Sequence, residues 1–189
     1  KYPFQTSWGT TTRLIGAIIM VHGDNSGLVL PPRVAPTQVM IVPIRQQAEG
    51  VLEKAEEIRQ ALAAAGIRVK VDDTEKSPGW KFAEQEMRGI PVRVEIGPKD
   101  IEAGKAVIAR RDTGEKQEVT ITELAAKIPA LLDTIQGDML TRARERRDAN
   151  TFTARTKEEF EQIFAEKTGF VKAMWCGDRA CEDEIKEKM

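Results

Sequence analysis

The spacing of apolar and polar residues switches repeatedly between strand-like and helix-like periods, and those switches mark out the elements. Leu14–Val21 is an apolar run broken only by Gly16, and it predicts a buried helix. Gln38–Ile44, QVMIVPI, is bounded by prolines and polar residues and predicts a buried strand. From Arg45 to Ala65 the period becomes helical: Val51, Leu52, Ala55, Ile58 and Leu62 recur among Glu53, Glu56, Glu57 and Arg59, with Gly66 placed to close the helix. Ile67–Val71 alternates as a half-buried strand does. Residues 38–71 therefore read as a βαβ unit with parallel strands and a right-handed crossover.

A polar turn, Asp72–Gly79, leads into a helix over Trp80–Arg88 that ends at Gly89. Strands are predicted at Pro91–Ile96 and Lys105–Arg111, and a turn at Thr113-Gly114 returns Glu118–Ile121 as a hairpin strand. Thr122 and Glu123 open a long helix with an apolar stripe of Leu124, Ala125, Ile128, Leu131, Leu132, Ile135, Met139 and Leu140, which Pro129 is expected to kink or split. The sum is an α/β domain over residues 37–148, a mixed five-stranded sheet with flanking helices. After a short link at Asn150–Ala154, Thr156 and Glu159 form a capping box for a helix whose apolar face is Phe160, Ile163 and Phe164. Gly169, a strand over Phe170–Trp175 and a helix beginning at Asp178 suggest the start of a small α+β module over 149–189.

Composition changes this picture little. The chain has 189 residues, enough for one or two domains, and its 41% hydrophobic and 31% charged content is that of an ordinary globular protein. With 29 basic and 30 acidic residues the net charge is −1, so bulk charge does not argue for nucleic acid, although localised basic groups can still bind it. No apolar run reaches the roughly 18–20 residues needed to span a bilayer, and no signal peptide is apparent, so the expectation is no membrane partner and a cytoplasmic location. The chain starts at Lys1 rather than Met, which predicts an internal fragment.

Four stretches could carry chemistry. Ser7-Trp8-Gly9-Thr10-Thr11-Thr12 followed by Arg13 reads as a turn whose glycine admits a ligand and whose hydroxyls and N–H groups, with the arginine, suit phosphate. A capped core helix with a solvent-facing arginine is the alternative. Ser77-Pro78-Gly79-Trp80-Lys81-Phe82 opens a helix that would set Lys81, Glu84 and Arg88 near one face, while Arg93 and Glu95 share one side of the next strand. Trp80 could stack on an unpaired base, and the carboxylates could accept from guanine N–H groups. Salt-bridged surface charges and a core tryptophan are the alternatives there. Arg142–Arg147 is a basic cluster at a helix C-terminus, suited to the helix dipole or to phosphates. Cys176 and Cys181, spaced C-x4-C, offer half of a tetrahedral zinc site; His22 is too distant to contribute, so two reduced thiols are the alternative.

The string SWGTTTRLIG, continued by VHGDNSGLVLPPRVAP, resembles motif 3 of class II prolyl-tRNA synthetases of the eukaryote- and archaeal-like form, and the exit from their catalytic domain. SPGWKF resembles a segment of that family's anticodon-binding domain, and the C-x4-C tail its C-terminal zinc-type extension. The resemblance implies that residues 1–36 end an antiparallel catalytic domain, 37–148 bind the anticodon, and 149–189 begin the zinc-type domain. It implies an enzyme that activates proline with ATP and Mg2+ and transfers it to tRNA(Pro), homodimeric through the catalytic domain, of which this piece alone is inactive. Thr11 and Arg13 match ATP-binding positions, with Arg13 catalytic. Ser7, Trp8, Gly9 and His22 match the proline pocket, although a structural strand-end histidine remains open for His22. Glu86, Arg93 and Lys81 are the candidate anticodon readers. Cys176 and Cys181 would ligate zinc only with further cysteines downstream. A non-catalytic tRNA-binding adaptor, or a class II synthetase for threonine, glycine or histidine, remain as alternatives.

Overall fold

A computed structural model describes residues 2–188. The chain divides into two compact units, 1–140 and 141–189.

In the first unit, α1 (Arg13–His22) is followed by an extended connector to β1 (Val39–Pro43), α2 (Val51–Ala64) and β2 (Val69–Val71). Next come α3 (Pro78–Arg88), β3 (Val92–Ile96), the short α4 (Pro98–Glu102), β4 (Lys105–Arg110) and β5 (Lys116–Thr120). A single 3-10 turn, 121–123, leads into α5 (Leu124–Ala149), whose last turns belong to the second unit. The five strands lie in the order β2-β1-β3-β4-β5. β1 pairs parallel with β2 and β3, while β3–β4 and β4–β5 are antiparallel. The mixed sheet expected from the sequence is present.

The pleat of the central strands sorts their side chains onto two unlike faces. Val39, Ile41, Val92, Val94, Ile96 and Ile108 pack with Ala55, Ile58 and Leu62 of α2 and with Leu124, Ile128, Leu132, Ile135 and Met139 of α5. On the other face, Met40 and Val42 pack with Ile90 and Phe82. The register continues that second face outward as Met40–Arg93–Ala109–Lys116 and Val42–Glu95–Val107–Glu118. Apolar residues thus give way to charges where the cover of α3 ends.

Several expectations are corrected. α1 is a helix, but none of its residues is buried: Leu14 and Ile15 are 59% and 60% exposed, and Met20 77%. The run that the hydrophobic pattern assigned to a core is left largely exposed, with Gly16, Ala17 and Ile18 half-buried. α2 begins at Val51 rather than Arg45, because Arg45 (φ 54°) and Gly50 (φ 80°) hold left-handed conformations that cannot continue a helix. Leu52 falls on its exposed side. α5 runs unbroken through Pro129, with Ile128 and Leu132 buried on either side. Proline near the start of a helix removes a single backbone hydrogen bond, a loss that packing on both flanks offsets. Leu140, placed on the apolar stripe, is exposed.

The connector is strapped to the end of α3. Leu28 N–H donates to the Met87 carbonyl at 3.0 Å, and Leu30 N–H to that of Gly89 at 3.2 Å. The approach admits no side chain between the backbones. A Cβ on Gly27 would lie 2.6 Å from the Met87 backbone, and one on Gly89 2.6 Å from Leu28. Gly89 also sits at φ 70°, where glycine is the natural residue.

In the second unit, β6 (Thr151–Thr153) and β7 (Phe170–Lys172) pair in parallel around α6 (Lys157–Glu166), and α7 spans Arg179–Lys188. The predicted link at 150–154 is therefore a strand, too short to show a period. Thr156 Oγ1 accepts from Glu159 N–H at 3.2 Å, while the Glu159 carboxylate accepts from Arg155 N–H at 2.8 Å, a capping box displaced by one residue. The helix predicted from Asp178 to Met189 is α7; Met189 lies outside the described residues.

Candidate nucleic-acid interface

The open part of the second sheet face forms a cleft of about 360 Å³ whose lining includes Gln85, Glu86, Arg93, Ala109 and Lys116. Its shape follows from the register. Ala109 stands between Arg93 and Lys116 on the same row, and its methyl leaves space that two long side chains flank. Arg93 Nε donates to Glu95 Oε1 at 3.0 Å, and its Nη1 lies 3.4 Å from Glu86 Oε1. Lys116 Nζ lies 3.0 Å from Glu95 Oε1. The Arg93 guanidinium lies 4.1 Å from the Phe82 ring centroid, and Lys116 Nζ 5.4 Å. The result is a preset row of donors and acceptors: Arg93 and Glu95 are held against each other, and Phe82 supports both cations. Such a row can meet the polar edge of a planar ligand and does not discriminate by charge alone.

The far wall ties the cleft to the rest of the unit. Arg111 binds Asp24 through two bonds of 2.7 and 2.6 Å and donates from Nε to the Glu86 carbonyl at 2.9 Å. That bidentate contact holds the Asp24 carboxyl at a pKa of about 2. Arg110 is clasped by Asp112 and Asp138, which raise its pKa.

Two of the three expected anticodon readers, Glu86 and Arg93, meet at this cleft. Lys81 does not. It is 1% exposed, and its Nζ donates to Gln46 Oε1 at 2.8 Å and to the Asp72 carbonyl at 2.7 Å. Burial lowers its pKa, opposed by the nearby Asp72 and Asp73 charges. Lys81 is an internal brace, not an accessible cation on one face with Glu84 and Arg88. Trp80 stands at the surface, 46% exposed, with Lys76 Nζ 5.5 Å from its ring centroid. Its backbone N–H is capped by Ser77 Oγ at 3.4 Å. Sequence reasoning missed Gln85, Lys116 and Arg111. The alternation Lys-Gln-Glu-Val-Thr could have flagged Lys116, but aligning it with Arg93 requires the strand order.

At the N-terminal side, Ser7, Trp8, Gly9, Thr11 and Arg13 are all exposed. Thr11 Oγ1 accepts from Arg13 N–H at 3.3 Å, a local contact at the helix start. A Cβ on Gly9 would meet nothing within 4 Å, so the described residues form no closed pocket there. His22 ends a helix rather than a strand. Arg142–Arg147 lies in the exposed final turns of α5.

In the second unit Cys176 and Cys181 are exposed free thiols. Hydrogen bonding at the Asp178 backbone and with Cys181 lowers the Cys176 pKa, and the same thiol contact raises that of Cys181. Among the described residues no group of three or more His, Cys, Asp or Glu could hold a metal ion. Two thiolates supply half of the donors a structural zinc needs, so these residues alone do not fit that metal.

The β2-β1-β3-β4-β5 sheet, with a polar cleft on one face, points to a class. Residues 38–131 match the family described as "Anticodon binding domain", which gives the class of the sheet domain. Residues 157–189 match "Prolyl-tRNA synthetase, C-terminal". The chain is 69% identical over 187 residues to a proline–tRNA ligase of Lachnospira eligens, covering 99% of this chain and 39% of that protein. It is 63% identical over 187 residues to one from Clostridium novyi, again covering 99% of this chain and 39% of the relative. A crystal structure of prolyl-tRNA synthetase from Cryptosporidium parvum, complexed with halofuginone and AMPPNP, superposes with a TM-score of 0.86 at 41% identity, covering 94% of this chain and 37% of the other. The chain belongs to the prolyl-tRNA synthetase family and spans about 39% of the length of the curated relatives it matches. The threonine, glycine and histidine alternatives fall away. Among the described residues no helix is long and apolar enough to cross a membrane.

Proposed function

We propose that this chain is the C-terminal part of a proline–tRNA ligase, and that its sheet domain reads the anticodon of tRNA(Pro). The observation that carries the reading is the match over nearly the whole chain to relatives with that name. The cleft supports it, since Arg93 can donate to guanine O6 or N7 while Glu86 accepts from guanine N–H groups. Trp80 supplies a stacking surface, and Lys81 acts indirectly by bracing α3. Residues 1–36 close the adenylate-forming site, 37–148 form the anticodon-binding domain and 149–189 begin the zinc-type module.

In the full protein Arg13 and Thr11 hold ATP, which arrives with Mg2+, and Ser7, Trp8, Gly9 and His22 border the proline. The Arg13 guanidinium would stabilise charge on the triphosphate as the proline carboxylate attacks the α-phosphate, the α–β phosphoanhydride bond breaks and pyrophosphate leaves. Catalysis is positional and electrostatic, with no covalent bond to the protein. The enzyme is a cytoplasmic homodimer joined through its catalytic domain. Zinc is held only where further cysteines complete the pair.

The test is proline-dependent ATP–pyrophosphate exchange by the full-length enzyme. Replacing Arg13→Ala is expected to slow exchange by about 100-fold or more. The present chain is expected to bind tRNA(Pro) in a fluorescence titration and to form no prolyl-adenylate. Exchange activity with another amino acid and none with proline would overturn the reading.

A further inference from the structure

We propose that Gln85 is a specificity-determining residue of the cleft, its Oε1 accepting an N–H of a guanine presented there. Gln85 lines the cleft and is 4% exposed. Its Nε2 donates to Asp72 Oδ2 at 3.0 Å. A carboxylate can only accept, so the amide nitrogen must face Asp72 and the oxygen must face away from it. Asp72 is itself fixed, because its Oδ1 accepts from Thr74 Oγ1 at 2.6 Å and its carbonyl from Lys81 Nζ. The chain Lys81–Asp72–Gln85 therefore sets the orientation of the amide from behind.

Oε1 is the one buried side-chain polar atom among the described residues that has no hydrogen-bond partner. An amide oxygen left so is costly, and a donor from a ligand regains that cost. The ligand chemistry follows from the neighbours. Arg93 offers donors and Glu86 an acceptor. Gln85 adds a second acceptor from the same cleft lining. One donor with two acceptors matches the O6, N1–H and N2–H₂ edge of guanine. Adenine offers its N6–H₂ as donor but lacks the N1–H and N2–H₂ pair, so it cannot satisfy both acceptors together. Oε1 is buried while the cleft is empty, so a base reaches it only as the side chains lining the cleft shift.

The inference rests on the anticodon-reading function proposed above, and the experiment separates the two. The chain is titrated with the anticodon stem-loop of tRNA(Pro), in which each guanine is replaced in turn by inosine, lacking the N2 amine, or by 1-methylguanosine, which keeps O6 and the N2 amine but lacks N1–H. For one guanine the wild-type chain is expected to lose about tenfold in affinity. In Gln85→Met that ratio is expected to fall towards one. An unchanged ratio in a folded Gln85→Met chain would overturn the role of Gln85. A crystal structure of the wild-type chain with the stem-loop decides the matter without any variant: a guanine nitrogen within hydrogen-bond distance of Oε1 supports the assignment, and a water there with or without RNA overturns it. Wild-type binding no tighter than to a scrambled stem-loop would instead count against the anticodon reading itself.

Discussion

The α3–β3 region and α1 invert the usual rule of the folded chain in opposite senses. Around α3 and β3, Asp72, Lys81, Gln85, Arg93 and Glu95 are buried. Along α1, Leu14, Ile15, Ile19, Met20 and Val21 are exposed. Buried charges survive only with partners in good geometry, and each ionised group in the first region has them. The exposed aliphatic side chains of α1 bury little apolar surface, so the helix adds little to the stability of this chain. One region is costly to disturb and specific in its chemistry; the other is stabilised by its own backbone ladder.

Four substitutions break or sharpen that contrast. Ile41→Ala, at a fully buried site on the α2/α5 face of the sheet, is expected to cost about 4 kcal/mol, read as a lowered urea midpoint with unchanged slope. Lys81→Met removes one member of the buried polar set and is expected to cost about 3 kcal/mol, since Asp72 is left without its cation. Arg111→Met is expected to cost about 2 kcal/mol by the same measurement, because Arg111 bonds both Asp24 and the Glu86 carbonyl. Asp24 supplies a sharper reading. Its carboxyl is depressed from 3.8 to about 2, so the stability it contributes is fully present above 3.8 and is lost as pH falls through about 2. NMR titration of the Asp24 carboxyl is expected to show that low midpoint, rising towards 3.8 in Arg111→Met. Ile15→Ser, on the bare helix, is expected to change stability by no more than about 0.5 kcal/mol. A loss comparable to that of Ile41→Ala would collapse the contrast.

What the sequence could tell differs between the same two regions. The β1-α2-β2 unit was legible because Val51, Ala55, Ile58 and Leu62 keep a helical period between two short apolar strands. The apolar run of α1 announced a helix but could not announce its exposure, which depends on what else surrounds it. Lys81 looked accessible because its partners, Gln46 and Asp72, stand 35 and 9 residues away in loops without any period. The cleft was legible only in part. Arg93 and Glu95 sit on one strand, whereas Lys116 joins them through a strand order that period does not encode. Gln85 carried no local mark, since its role comes from an amide orientation set by Asp72. β6 and α4, of 3 and 5 residues, were too short to show a pattern.

The bare contact of Gly27 and Gly89 carries a mechanical consequence. With main chain resting on main chain, nothing compressible lies between α3 and the peptide that leaves α1. A tilt of one must drag the other, like two gear teeth without backlash. Adding a single methyl at either glycine would act as a shim, forcing the pair apart while leaving every side chain of the cleft in its original chemical form.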